Sequence, residues 1–163
     1  SENRLSELKS ELGDNKIEYI KSSEKNILEA LKVSDIVVGA VYVVGKEAPR
    51  VVLKEMINEM KPGTVMVDIS IDQGGCFETS KTTTHDNPTY LINDVVHYCV
   101  ANMPGSVPLT ATEALNEATL PFVKDIANKG LDKSLSEDIN LFNGLNLKDN
   151  EIVHKSVRES FNL

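Results

Sequence analysis

Three short strand-like runs limit what this chain can fold into. They are Ile36–Val41, Thr64–Ile69 and Val95–Val100. Each is rich in β-branched residues and too short for an ordinary helix. Ile36–Val41 is apolar throughout, the pattern of a parallel strand buried on both faces. Helical patterns lie between and before the runs. Leu5, Leu8 and Leu12 share one helical face, and Gly13 stops that run. Ser22 and Ser23 are placed to cap a helix from Glu24 to about Leu31, with Ile27, Leu28 and Leu31 inward. Pro49 suits the first turn of another helix, whose apolar face is Val52, Leu53, Met56, Ile57 and Met60, ending at Pro62-Gly63. Lys16–Ile20 alternates like a short strand. Strands alternating with amphipathic helices predict an α/β fold: part of a doubly wound, Rossmann-type parallel sheet with right-handed crossovers.

After Pro108 the pattern changes to helix and turn, so a C-terminal helical segment is expected. Thr110-Ala-Thr-Glu113 reads as a capping box with Thr110 as the N-cap. The helix it opens runs toward Asn128, Gly130 ends it, and Pro121 should kink or divide it. One further short strand is expected at Glu151–Val153.

In an open parallel sheet, ligands bind beyond the carboxyl ends of the strands. The segments there are Tyr42–Pro49, Ser70–Gly75 and Ala101–Pro108, which concentrate glycine and proline. Asp72 stands out, because it follows an apolar strand and precedes Gln73-Gly74-Gly75. A carboxylate there suits a ribose or a cationic substrate group, and equally a turn in which it accepts backbone hydrogen bonds. Asn102 can orient an amide, and Met103 can pack on a ring.

Composition narrows the partners. The 163 residues carry 17 Lys and Arg against 25 Asp and Glu, a formal charge of -8. That balance opposes binding to nucleic-acid phosphates or to an anionic membrane. No apolar run approaches membrane-spanning length, so a cytoplasmic setting is expected. Cys76 and Cys99 form no CxxC and read as half-buried thiols in a reducing compartment. His85 reads as solvated, His97 as a hydrogen-bonded core residue and His154 as surface. No pair of histidines has metal-ligand spacing, so no metal is expected. There is no GxGxxG and no phosphate-binding P-loop pattern.

Three blocks carry a family resemblance: VGAVYVVGKEAP (Val38 to Pro49), KPGTVMVDISIDQGGCFETS (Lys61 to Ser80) and VVHYCVANMPGSVP (Val95 to Pro108). TTTHDNPTY (Thr82 to Tyr90) and IANKG (Ile126 to Gly130) fit the same pattern. Together they resemble alanine dehydrogenase over nearly the whole chain. The related proton-pumping transhydrogenases share the fold, with a different loop expected at IDQGG. The resemblance implies NAD as cofactor and reversible oxidative deamination of L-alanine to pyruvate and ammonia. It places Asp72 as the active-site aspartate beside the nicotinamide. It implies cofactor contacts at Val41 and Tyr42, at Ile69, Ser70 and Ile71, and at Val100, Ala101, Asn102 and Met103. Ser22 matches a contact near the adenine, and Arg4 one at the adenosine ribose. Lys81 stands where relatives are expected to carry Arg.

The resemblance also implies two parts: residues 1–108 as the C-terminal portion of an NAD-binding domain, and 109–163 as helices that pack on a catalytic domain. The glycine turn, the catalytic histidine and the substrate-binding Lys and Arg of the family have no counterpart in this sequence. The expectation is therefore a truncated chain, inactive alone, that joins a separate N-terminal chain or self-associates. A non-catalytic, association-only remnant is the alternative.

Overall fold

The computed structural model describes residues 2–13 and 16–162. Helix α1 (Glu2–Leu12) ends where Gly13 takes a φ of 69°. Helix α2 (Glu24–Val33) is capped by the Ser23 side chain, which accepts from the Asn26 N–H at 3.2 Å. Four strands follow: β1 (Ile36–Gly39), β2 (Val65–Asp68), β3 (Thr89–Ile92) and β4 (Val95–Tyr98). Their spatial order is β1-β2-β4-β3. The pairs β1–β2 and β2–β4 are parallel, and β3–β4 is antiparallel. The partial doubly wound α/β architecture is thus realised, with one antiparallel strand added at the edge.

Register decides which side chains meet the core. Val37, Met66, His97 and Tyr90 lie in one row across the sheet, and Gly39 pairs with Asp68. Side chains alternate along a strand, so Val37, Gly39, Met66, Asp68, Val95 and His97 share one face. Met66, Asp68, Val95 and His97 are fully buried there. Leu31 from α2, and Val52, Met56, Ile57 and Met60 from the β1–β2 connection, pack with Met66, Val95, Cys76 and Phe77 as the core. The opposite face begins with Ile36, Val38 and Leu91, which are 66%, 56% and 66% exposed. Burial of β1 on both faces is therefore corrected: only one of its faces meets the core.

Other expectations need correction. Lys16–Ile20 is not a strand. An extended segment becomes a strand only through a hydrogen-bonded neighbour, and it takes part in no ladder of this sheet. The helix expected from Pro49 is a short 3-10 helix at Lys54–Glu59. The Val51 N–H donates to the Cys76 carbonyl at 2.8 Å, and the Val52 carbonyl accepts from the Glu78 N–H at 2.9 Å. Those backbone groups are committed to a distant loop and cannot enter a helical ladder. The Glu78 carboxylate then caps the short helix through the Lys54 N–H at 2.6 Å. Both cysteines are fully buried, not half-buried. Thr89–Ile92, assigned no strand above, is β3. It joins β4 through Asn93-Asp94, both with positive φ (49° and 60°), the turn that matches strand twist.

The chain forms two compact units: residues up to Tyr42 with Ala48–Ala101, and Val43–Glu47 with the residues from Asn102 onward. The second unit contains α3 (Pro108–Lys129), α4 (Leu131–Glu137), α5 (Ile139–Asn143), the pair β5 (Leu147–Lys148) and β6 (Glu151–Ile152), and α6 (Lys155–Ser160). Helix α3 starts two residues before Thr110, with Pro108 in its first turn and no side-chain cap. Proline's fixed φ opens the helix there, so the Thr110 capping box does not form. Helix α3 also runs undivided past Pro121 to Gly130, whose φ is 81°. Among the described residues no helix is long and apolar enough to cross a membrane.

Candidate functional site at the strand ends

Because β1, β2 and β4 run parallel, their carboxyl ends lie along one edge of the sheet. Val41 and Tyr42 follow β1, Ile69–Asp72 follow β2, and Val100 and Ala101 follow β4. The first two ends are tied together. The Ser70 hydroxyl accepts from the Val41 N–H at 2.8 Å and donates to the Val41 carbonyl at 2.9 Å. Its polar capacity is used in fixing backbone, which makes Ser70 a strut between two strand ends. Ile71 and Val100 are buried, whereas Tyr42, Ile69 and Asp72 face solvent. The Ala101 N–H donates to the Thr83 carbonyl at 3.2 Å, so the end of β4 is also held.

Asp72 sits in a short 3-10 helix, Ile69–Gln73, that ends at Gly74 in the left-handed region (φ 91°). A residue with a side chain is strained in that region. Gly75 follows with φ 84°. A Cβ there would lie 2.8 Å from Asp68 Oδ2 and 2.9 Å from Ser80 Cβ, so the position also lacks room. These two glycines fold the chain sharply back after Asp72.

Asp68 holds this loop from beneath and is absent from the residues expected above. It is fully buried. Its Oδ1 accepts from the Ser70 N–H at 3.0 Å, and its Oδ2 accepts from the Cys76 N–H at 2.8 Å and the Phe77 N–H at 3.4 Å. The Ser80 hydroxyl donates to Oδ2 as well. Arg50 grips the loop from outside, donating to the carbonyls of Gly74 and Gly75, with that of Phe77 at 3.4 Å. One local signal was available: an acid closing an apolar strand before Ser-x-Asp is unusual. Burial first, and then the Asp68 charge, push the Cys76 thiol up to about 11.

A second buried cluster lies beside it. The Tyr90 hydroxyl donates to the Thr79 carbonyl and accepts from the Lys81 N–H, both at 2.8 Å. Burial, followed by the Cys99 thiol, raises the Tyr90 phenol above its ordinary range. His97 stacks on Tyr90 with ring centroids 5.0 Å apart. Its Nδ1 lies 3.1 Å from the Val95 carbonyl and its Nε2 2.8 Å from the Thr79 hydroxyl. A carbonyl can only accept, so Nδ1 carries the proton and Thr79 donates to Nε2. Burial lowers the His97 pKa, consistent with a neutral ring. His97 is thus the hydrogen-bonded core residue expected, and His85 is exposed.

The other expected residues lie apart along the chain. Arg4 is on α1, where it pairs with Glu7 at 3.0 Å. Ser22 is exposed just ahead of α2, and Ser23 makes the cap. Lys81 is exposed and contributes its backbone to Tyr90. Asn102, with φ 53°, and Met103 begin the second unit. An apolar cleft of about 370 Å³ runs beside β1, lined by Ile27, Leu31, Val38, Val41, Val52 and Phe77. A larger cleft of about 680 Å³ lies within the second unit and contains none of the expected residues.

Residues 1–155 match the family described as alanine dehydrogenase/PNT, C-terminal domain. An alanine dehydrogenase of Halomonas elongata is 53% identical over 83% of this chain and 36% of its own length. One from Staphylococcus haemolyticus is 50% identical over 98% of the chain and 43% of its own length. A solved L-alanine dehydrogenase superposes with a TM-score of 0.82 at 44% identity, over 99% of this chain and 44% of that one. A transhydrogenase from Sinorhizobium meliloti, 21% identical, shares the fold with a TM-score of 0.67, over 91% of this chain and 40% of its own. The chain thus spans less than half the length of the relatives it matches. By the family match, its sequence identity to these relatives and the superposition on the solved L-alanine dehydrogenase, the chain belongs to the alanine dehydrogenase/PNT C-terminal domain family.

Proposed function

We propose that this chain supplies the nicotinamide side of an NAD-dependent L-alanine dehydrogenase. The carrying observation is the carboxyl edge of the parallel sheet, where Asp72 faces solvent in the loop that follows β2 and that Ser70 ties to the end of β1. Family membership supports reading dehydrogenase chemistry at that edge. In the reaction, L-alanine loses a proton from its ammonium group and a hydride from Cα. Water converts the resulting iminium to pyruvate and ammonium. NAD, when bound, would supply the hydride acceptor.

The residues present fit the nicotinamide end of such a cofactor. The edge offers an exposed carboxylate at Asp72, and apolar Val41 adjoins the cleft beside β1. Asp72 would orient the ring and the substrate ammonium, and Val41, Ile69, Ile71 and Val100 keep the edge apolar. A ring held against the substrate carbon with water excluded supplies much of the acceleration in hydride transfer. The resemblance assigns Asn102, Met103 and Lys81 to the cofactor as well, with Arg4 and Ser22 toward its adenosine part. The amine proton passes to a group outside this chain, because His97 is committed to the core and His85 lies in an exposed turn. On this reading residues 1–108 form the cofactor side and 109–163 pack against the catalytic part. The catalytic part completes the site in the cytoplasm, where both thiols stay reduced.

The test is L-alanine-dependent NADH formation by the purified chain, alone and with the remaining part of the S. haemolyticus relative. Turnover only with both parts supports the reading. Turnover by the chain alone would overturn the division of labour. Demonstrated association of the parts without turnover would favour the non-catalytic remnant.

A further inference from the structure

We propose that Asp68 is a positioning residue for the reaction, acting through Asp72; the proposal rests on the dehydrogenase reading above. The hydrogen bonds to its carboxylate straddle Asp72. Ser70 donates from two residues before it, and Cys76, Phe77 and Ser80 donate from after it. One buried side chain therefore closes the whole loop around the exposed acid. Removing a carboxylate from water is costly unless fixed donors replace its hydration. Here each donor comes from the loop itself, so the cost of burial is offset only when the loop is in this conformation. Gly75 permits the close approach, since a side chain there would collide with Asp68 and Ser80. Arg50 acts from the other side on the carbonyls of Gly74 and Gly75.

The chemistry requires an acid and not its amide. An ionised carboxylate only accepts, and every group that meets Asp68 here donates. Asp68→Asn would retain one acceptor and turn an NH2 toward the Cys76 N–H or the Ser70 N–H. The substitution nearly preserves shape, so its effect reports on hydrogen bonding. A catalytic group displaced by about 1 Å loses rate on the order of 100-fold, and less for smaller shifts.

Two measurements test the proposal. In the chain itself, amide exchange at Ser70, Cys76 and Phe77 is expected to quicken at least about tenfold in Asp68→Asn relative to Met66 in β2, a contrast that global destabilisation would not give. In the chain joined to the remaining part of the S. haemolyticus relative, Asp68→Asn is expected to lower kcat at least about tenfold. The same change in an Asp72→Asn background, followed as single-turnover NADH formation, should cost less than about twofold, because residues acting as a unit are non-additive. A merely structural role would give equal losses in both backgrounds and would overturn the proposal. Unchanged exchange, or faster exchange with unchanged kcat, would overturn it too. If Asp68→Asn does not fold, Ser80→Ala removes a single bond to the carboxylate and is read in the same cycle. An inactive joined parent would sink the dehydrogenase reading and this role with it, whereas an active parent indifferent to Asp68 would sink this role alone.

Discussion

Gly39 offers a quantitative test of the packing behind the site. It lies at the end of β1 on the core face, paired with Asp68. A Cβ built there would lie 2.6 Å and 2.8 Å from two ring carbons of Phe77, and against the Cys76 sulfur as well. Phe77 is 1% exposed and Cys76 is fully buried, so Phe77 can give way only on the side where it lines the cleft beside β1. Overpacking of this kind costs about 1–3 kcal/mol, and collision with two buried side chains at once places Gly39→Ala near the upper end. Alanine recovers about 0.5–1 kcal/mol of chain entropy within a strand. The net expectation is a loss of about 2 kcal/mol. For a chain of this size that lowers the thermal midpoint by about 4–8 °C. Thermal unfolding by circular dichroism, with urea unfolding alongside, measures both quantities. Adding Phe77→Leu removes ring atoms from the collision. The double variant should therefore be at least about 1 kcal/mol more stable than the sum of the single losses. A Gly39→Ala protein as stable as the parent would refute the packing account of this corner.

Further expectations follow from the buried groups and the helix cap. Burial holds the His97 pKa below its ordinary value of 6.5, so the unfolded chain binds more protons as pH falls through that value. Its contribution to stability is complete above about pH 6.5 and declines toward the lowered folded pKa; His97→Gln should flatten urea midpoints measured between pH 7.5 and 5, and an unchanged slope would exclude His97 as its source. Cys76, with its thiol raised to about 11, and buried Cys99 should resist a thiol reagent at pH 7.5 until urea unfolds the chain. A rapid equivalent of reaction in the native protein would contradict their burial. Ser23→Ala should cost about 1 kcal/mol through loss of the bond to the Asn26 N–H, read as a lower urea midpoint.

The sequence was legible where structure depends on near neighbours. The three parallel strands, the Ser23 cap, the stops at Gly13 and Gly130, and the inward set Val52, Met56, Ile57 and Met60 follow from short-range pattern and are present. It was illegible where a distant partner decides. Residues Pro49–Leu53 stay extended because Cys76 and Glu78 take up the backbone groups of Val51 and Val52. Lys16–Ile20 alternates correctly but joins no ladder. Thr110 has the right neighbours for a cap, yet Pro108 starts the helix earlier. Within the site, Asp72 could be singled out from its place in the pattern. Asp68 left only the local hint of an acid closing an apolar strand, because its importance lies in donors found two to twelve residues later.

The turn at Asn93-Asp94 stores more than a change of direction. Both residues adopt the left-handed region, which fixes the hairpin in one register. A slip of β4 by one residue would turn Val95 and His97 outward and bring Val96 and Tyr98 in. Tyr90 would then face a different row, and Thr79 would lose the ring it bonds. Two small polar residues thus act as a parity bit for the sheet, selecting which alternate set of β4 side chains is read as interior.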